Sequence, residues 1–182
     1  MRICIDAGHT GTNPDCDPGA VGTRGTAESD INLRIAQILR TKLQQRRTIA
    51  IMTRDQYNAP EVDDLARRAA ICNNAGCDCF VSIHCNAAAT LSASGFEMYF
   101  YNGSAAGNKL AGKIVNRLQQ QTPLINRGVK AANFQVLRET NCPAVLVECG
   151  FLTNPQDERY LLGIIGQAAI AQAIADALLL PT

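Results

Sequence analysis

The 182-residue chain reads as an α/β protein in which helices sandwich a mostly parallel sheet. Three observations predict this. Short apolar, β-branched runs alternate with longer stretches whose apolar residues recur at helical spacing. The runs at 79–84 and 144–148 are nearly all apolar, as in strands covered on both faces. The first five elements read β-α-β-α-β.

Residues 2–6 form the first expected strand, and 30–45 a helix with Ile31, Ile35, Ile38, Leu39 and Leu43 on one side. A strand at 49–53, a helix at 63–74 and the strand at 79–84 complete the opening unit. Residues 95–101, rich in aromatics, read as a strand, and 108–120 as a helix striped by Leu110, Ile114, Val115 and Leu118. Another strand is expected near Val136-Leu137, followed by the buried strand 144–148. Asn154 and Pro155 supply an N-cap and a first-turn proline, with Asp157 and Glu158 suited to the positive end of a helix. A last helix is expected over about 166–180, and Pro181-Thr182 is the one place where a linker would begin.

One domain over residues 1–182 is the simplest organisation, large enough to bury roughly 70% of the surface of its unfolded chain. With 47% hydrophobic residues, 18% charged and a formal charge of +1, the composition disfavours nucleic-acid binding, since no basic block collects phosphates. MRICIDAGHT offers neither a signal peptide nor a membrane span, so the chain as given is expected to start in the cytosol. Eight cysteines fall mostly within apolar or helical stretches and read as buried free thiols. The group Cys72, Cys77 and Cys79 lacks the paired C-x2-C knuckle of a structural zinc site.

Both histidines fall where an open α/β sheet builds its sites, outside the carboxyl ends of strands. His9 follows the first strand and His84 ends the third. Glu28 arrives at the start of a helix after a glycine- and proline-rich loop, and Glu148 ends the run Ala144-Val145-Leu146-Val147. Two imidazoles and a carboxylate are the ligand set of a catalytic zinc site that keeps one position open, and the fourth group is the acid/base such a site needs. Singly, each histidine reads more simply as a hydrogen-bonded structural residue, and Glu28 as a complement to the helix dipole. Glu148 resists that reading, because an ionised carboxylate closing an aliphatic run costs several kcal/mol unless it is paired or used. Cys85 and Cys149, adjoining His84 and Glu148, are expected on the opposite face. Asp6 and Asn86 are expected to support the ligands or touch substrate.

Taken together, IDAGHT with Asp17-Pro18-Gly19-Ala20, Glu28 before Asn32-Leu33, VSIHCNA at 81–87 and PAVLVECGFLTN at 143–154 resemble the zinc-dependent N-acetylmuramoyl-L-alanine amidases of the type 3 family. Weaker matches lie at Thr53-Arg54 and Val136-Leu137-Arg138-Glu139, and the resemblance covers nearly the whole chain. It implies a single twisted, mostly parallel sheet flanked by helices on both faces, one zinc ion held by His9, Glu28 and His84, and Glu148 as catalytic acid/base. The implied reaction is hydrolysis of the amide joining N-acetylmuramic acid to L-alanine in peptidoglycan. Thr10 departs from the family's usual glycine. Some members carry a helical insertion after the second histidine that a partner must remove; 87–94 is too short for one, so no activator is expected. The alternatives are a zinc carboxypeptidase or endopeptidase, in which Arg138 or Arg127 would clamp a terminal carboxylate, and a wall-binding module without turnover. Access to the wall is expected as a phage-type lysin or as part of a longer secreted protein.

Overall fold

Strict alternation along three central strands divides the interior into two cores of unequal size. The computed structural model describes residues 1–179. In β1 (Arg2–Ala7), Ile3, Ile5 and Ala7 enter the larger core and Cys4 the smaller. In β3 (Cys79–Asn86), Val81, Ile83 and Cys85 oppose Phe80, and in β6 (Ala144–Phe151), Val145, Val147 and Cys149 oppose Ala144 and Leu146. This is the two-residue period of a pleated strand. It puts Cys85 and Cys149 on the face expected of them, and His84 and Glu148 on the other.

Six strands form the sheet in the order β2-β1-β3-β6-β4-β5, with β2 spanning Ile49–Met52, β4 Phe96–Tyr101 and β5 Asn126–Ala132. Among the described strand pairs of this sheet, only β4–β6 is antiparallel. The larger core lies under α1 (Glu28–Gln45), α3 (Ala105–Gln121) and α6 (Ile164–Leu179), whose apolar stripes include Ile31, Ile35, Ile114, Leu118, Ile170 and Ile174. The smaller core lies under α2 (Leu65–Asn74) and the single turn α4 (Gln135–Arg138). Asn154 caps α5 (Pro155–Leu162), its side chain accepting from the N–H groups of Gln156 and Asp157.

Two expectations are corrected. Val136-Leu137 is not a strand: both belong to α4, where the Leu137 and Arg138 N–H groups donate to the Phe134 carbonyl. Two aliphatic residues carry no period that separates a strand from one helical turn. The strand on that side is instead β5, an edge strand whose polar and glycine-containing sequence NRGVKAA hides it from a hydrophobicity pattern. Cys79 also leaves the group it shared with Cys72 and Cys77, because it faces the larger core. The expected helical position of Leu180 and the linker at Pro181-Thr182 lie outside the described residues.

No single helix among the described residues is long and apolar enough to cross a membrane. α5 and α6 pass that test only as a pair bent by 82°, and α6 is buried along much of its length.

Candidate metal centre

Parallel pairing carries the ends of β1, β3 and β6 to one edge of the sheet, and there His9, His84 and Glu148 meet. Glu28 is the first residue of α1, where the helix's free N–H groups and dipole favour a carboxylate. Its Oε2 lies 3.0 Å from His9 Nε2 and its Oε1 3.0 Å from His84 Nδ1. One potential ligand atom from each of the three residues falls within 4.8 Å of the others. The Ala20 and Cys85 N–H groups and the Asn32 amide also donate to the Glu28 carboxylate, so it is held from five directions. Burial alone would push this carboxyl up, but the two imidazoles bonded to it outweigh burial and hold it well below the usual carboxylate range.

His9 occupies the left-handed region at φ 63°, an unusual conformation for a residue other than glycine. Two buried arginines hold it there. Arg54 donates to the Ala7, Gly8 and Ser29 carbonyls at 2.7–3.0 Å, and Arg68 donates to the His9 carbonyl at 3.1 Å. His9 Nδ1 is 2.6 Å from Asp17 Oδ2, which leaves Nε2 directed at Glu28. Burial lowers the His9 pKa, yet Glu28 and Asp17 together raise it to about 9. The same two carboxylates favour any cation bound at this edge. Glycine is required twice for close approach: a Cβ on Gly8 would enter the His84 ring, and one on Gly19 would enter His9 and Glu28.

Glu148 and His84 are register partners across β3 and β6. Glu148 Oε2 is buried without a hydrogen-bond partner, and burial pushes the carboxyl up to about 7. An unpartnered buried oxygen is costly in a folded protein and points to a ligand or water partner in the working site. A cleft of about 350 Å³ opens over it, lined by both histidines, Asp17, Arg68, Phe134 and, from α4, Gln135 and Val136.

All four site residues expected from the sequence therefore converge, whereas the two proposed supports do different work. The Asp6 carboxylate, which lines the cleft, accepts from Thr53 and Ser82 at 2.6 Å and pairs with Arg68 at 3.4 Å rather than bonding an imidazole. Asn86 donates to Glu97, a buried carboxylate also bound by Tyr99, Arg127 and Lys130. Glu97 is the register partner of Glu148 on the antiparallel β4, a pairing that no local pattern announces. Asp17, Arg54 and Arg68 are the supporting residues whose roles were missed. Asp17 and Arg54 lay within matched motifs, while nothing local marks Arg68.

A family profile described as N-acetylmuramoyl-L-alanine amidase matches residues 3–179. The chain is 35% identical over 176 residues to the N-acetylmuramoyl-L-alanine amidase LytC of Bacillus subtilis, a match covering 96% of this chain and 34% of LytC. The first curated relatives it matches are longer proteins, of which it spans about a third to just over half. Among solved structures it resembles the amidase AmiC2 of Nostoc punctiforme at 33% identity and a TM-score of 0.89, covering 98% of this chain and 95% of that one. It also resembles the CwlD amidase of Clostridioides difficile, solved in complex with the GerS lipoprotein, at 30% identity and a TM-score of 0.90, covering 97% and 95%. With this match along nearly its whole length and the converging site, the chain belongs to the N-acetylmuramoyl-L-alanine amidase family.

Proposed function

We propose that residues 1–182 form the catalytic domain of a zinc-dependent peptidoglycan hydrolase that cuts the amide between N-acetylmuramic acid and L-alanine at the bacterial cell wall. The observation that carries this reading is the convergence of His9, Glu28 and His84 beside the unpartnered Glu148 Oε2. These donors fit zinc, whose catalytic sites take two imidazoles and a carboxylate and leave one position open. When bound, zinc supplies a Lewis acid that polarises the amide carbonyl and acidifies water.

Asp17 fixes the His9 ring, and Arg54 and Arg68 fix its backbone, so the ligands are oriented before the ion arrives. Glu148 takes a proton from the attacking water at Oε2 and returns it to the departing alanine nitrogen. A pKa pushed up to about 7 suits a group that must do both near neutrality. Both arginines considered as the peptidase alternative's carboxylate clamp are already engaged: Arg127 is bound to Glu97, and Arg138 to Asn133 and Glu139. GerS accompanies CwlD, yet residues 87–94 form no helix over this cleft, and the domain is expected to cut without an activator.

The test is mass spectrometry of soluble products from purified peptidoglycan treated with zinc-loaded protein. Free stem peptides beginning at L-alanine support the amidase. Peptides cut internally, with the sugar still attached, overturn it.

A further inference from the structure

A second cluster of metal-binding side chains lies on the same face of the sheet, away from the edge where His9 and Glu148 meet. Cys4 on β1, Cys72 on α2 and Cys77 on the turn before β3 present sulfur atoms that all fall within 4.8 Å of one another. Cys142, on the loop before β6, adjoins this triangle with its Sγ 3.7 Å from that of Cys72. All four are free thiols. We propose that Cys4, Cys72, Cys77 and Cys142 form a structural zinc site, separate from the catalytic centre.

The geometry suits the ion. Zinc bound tetrahedrally at a Zn–S distance of about 2.3 Å sets its sulfur atoms about 3.8 Å apart. The Cys72–Cys142 separation already matches one edge of that tetrahedron. Closing Cys142 onto the triangle completes four-coordination. Binding at these sulfurs releases the thiol protons to solvent.

The site also has structural work to do. Among the described residues, the core on this face contains seven buried residues, Cys4 and Cys72 among them, against thirty on the other face. Among the described residues, α2 and the single turn α4 cover it. The four cysteines come from β1, α2, the α2–β3 turn and the loop before β6, so one ion ties the thin layer to two central strands. The other four thiols take no part: Cys79, Cys85 and Cys149 face the larger core, and Cys16 lies half-buried on the loop between β1 and α1.

This inference does not depend on the amidase reading, because the ligand types differ. The experiment loads reduced protein with cobalt(II) in place of zinc and records the near-ultraviolet thiolate-to-cobalt charge-transfer band, alongside metal content by mass spectrometry. Two ions per chain are expected, falling to one in His84→Ala with the band intact. Cys72→Ser is expected to lose the band and one ion while keeping the ion at the histidine site. Cys77→Ser, on the half-buried turn, provides the same comparison if Cys72→Ser fails to fold. Absence of the band in the unaltered protein, its persistence in both serine variants, or a Cys72–Cys142 disulfide in place of bound metal would each overturn the proposal.

Discussion

Glu148 stands directly beside His84 across the seam between β3 and β6, with the two as Cα register partners on parallel strands. A proposed metal ligand and the proposed acid/base thus share one rigid backbone frame rather than two loops. Just beyond them the register shifts between His84 and Asn86, the kind of irregularity by which sheets re-aim side chains near active sites.

That relationship separates two substitutions. Glu148→Gln keeps the shape of the side chain and removes the proton carrier, so zinc content is expected to hold while turnover falls about 10²–10⁴-fold. His84→Ala is expected to lose the catalytic ion along with activity. Metal analysis and product release measured on both variants check the division of labour, and an active Glu148→Gln would refute it.

Asp17 touches His9 and not the ion position, so Asp17→Asn is expected to act through affinity. A loss of about 10–100-fold in zinc binding is the usual consequence of removing such a support, read by competition with a chromophoric chelator. Activity should recover as zinc is raised.

Gly8→Ala drives a methyl group into the His84 imidazole, with an expected cost of about 1–3 kcal/mol in stability and weaker zinc retention. Gly112 is the matched control. It lies within α3 with open space around it, and Gly112→Ala is expected to stabilise by about 0.5–1 kcal/mol. Urea unfolding of both variants measures the contrast.

Asp6 gives an acid dependence of stability. Burial opposes its ionisation, but Arg68, Ser82 and Thr53 outweigh it and hold the pKa below the ordinary 3.8. A depressed carboxylate contributes stability that is present above its unfolded pKa and is lost as the pH falls through the lower folded value. Asp6→Asn leaves Arg68 buried without its partner, at an expected cost of about 3–5 kcal/mol at neutral pH. The difference between the variant and the unaltered protein should shrink below about pH 3.8. A constant difference across that range would assign the cost to packing instead.

Much of the architecture was legible along the chain because it depends on local period. β1, β3 and β6 declare themselves as apolar runs, and α1, α3 and α6 as stripes or continuous apolar stretches. Once those strands are taken as parallel, His9, His84 and Glu148 must share an edge. β5 and α4 escaped for the converse reason: an exposed edge strand has no apolar face to display, and a four-residue helix has no period.

Composition, periodicity and motif order were thus enough for the fold class, the family and the four residues that converge at the candidate site, since each is written in residue type and spacing. Only the folded chain decided the partners of those residues. Asp17 against His9, Arg68 clamping the His9 carbonyl, Glu97 beside Glu148, and Cys4 and Cys142 joined to Cys72 are contacts made across the fold. Such contacts depend on strand order and register, and a one-residue slip in register would turn every one of these strand side chains to the other face.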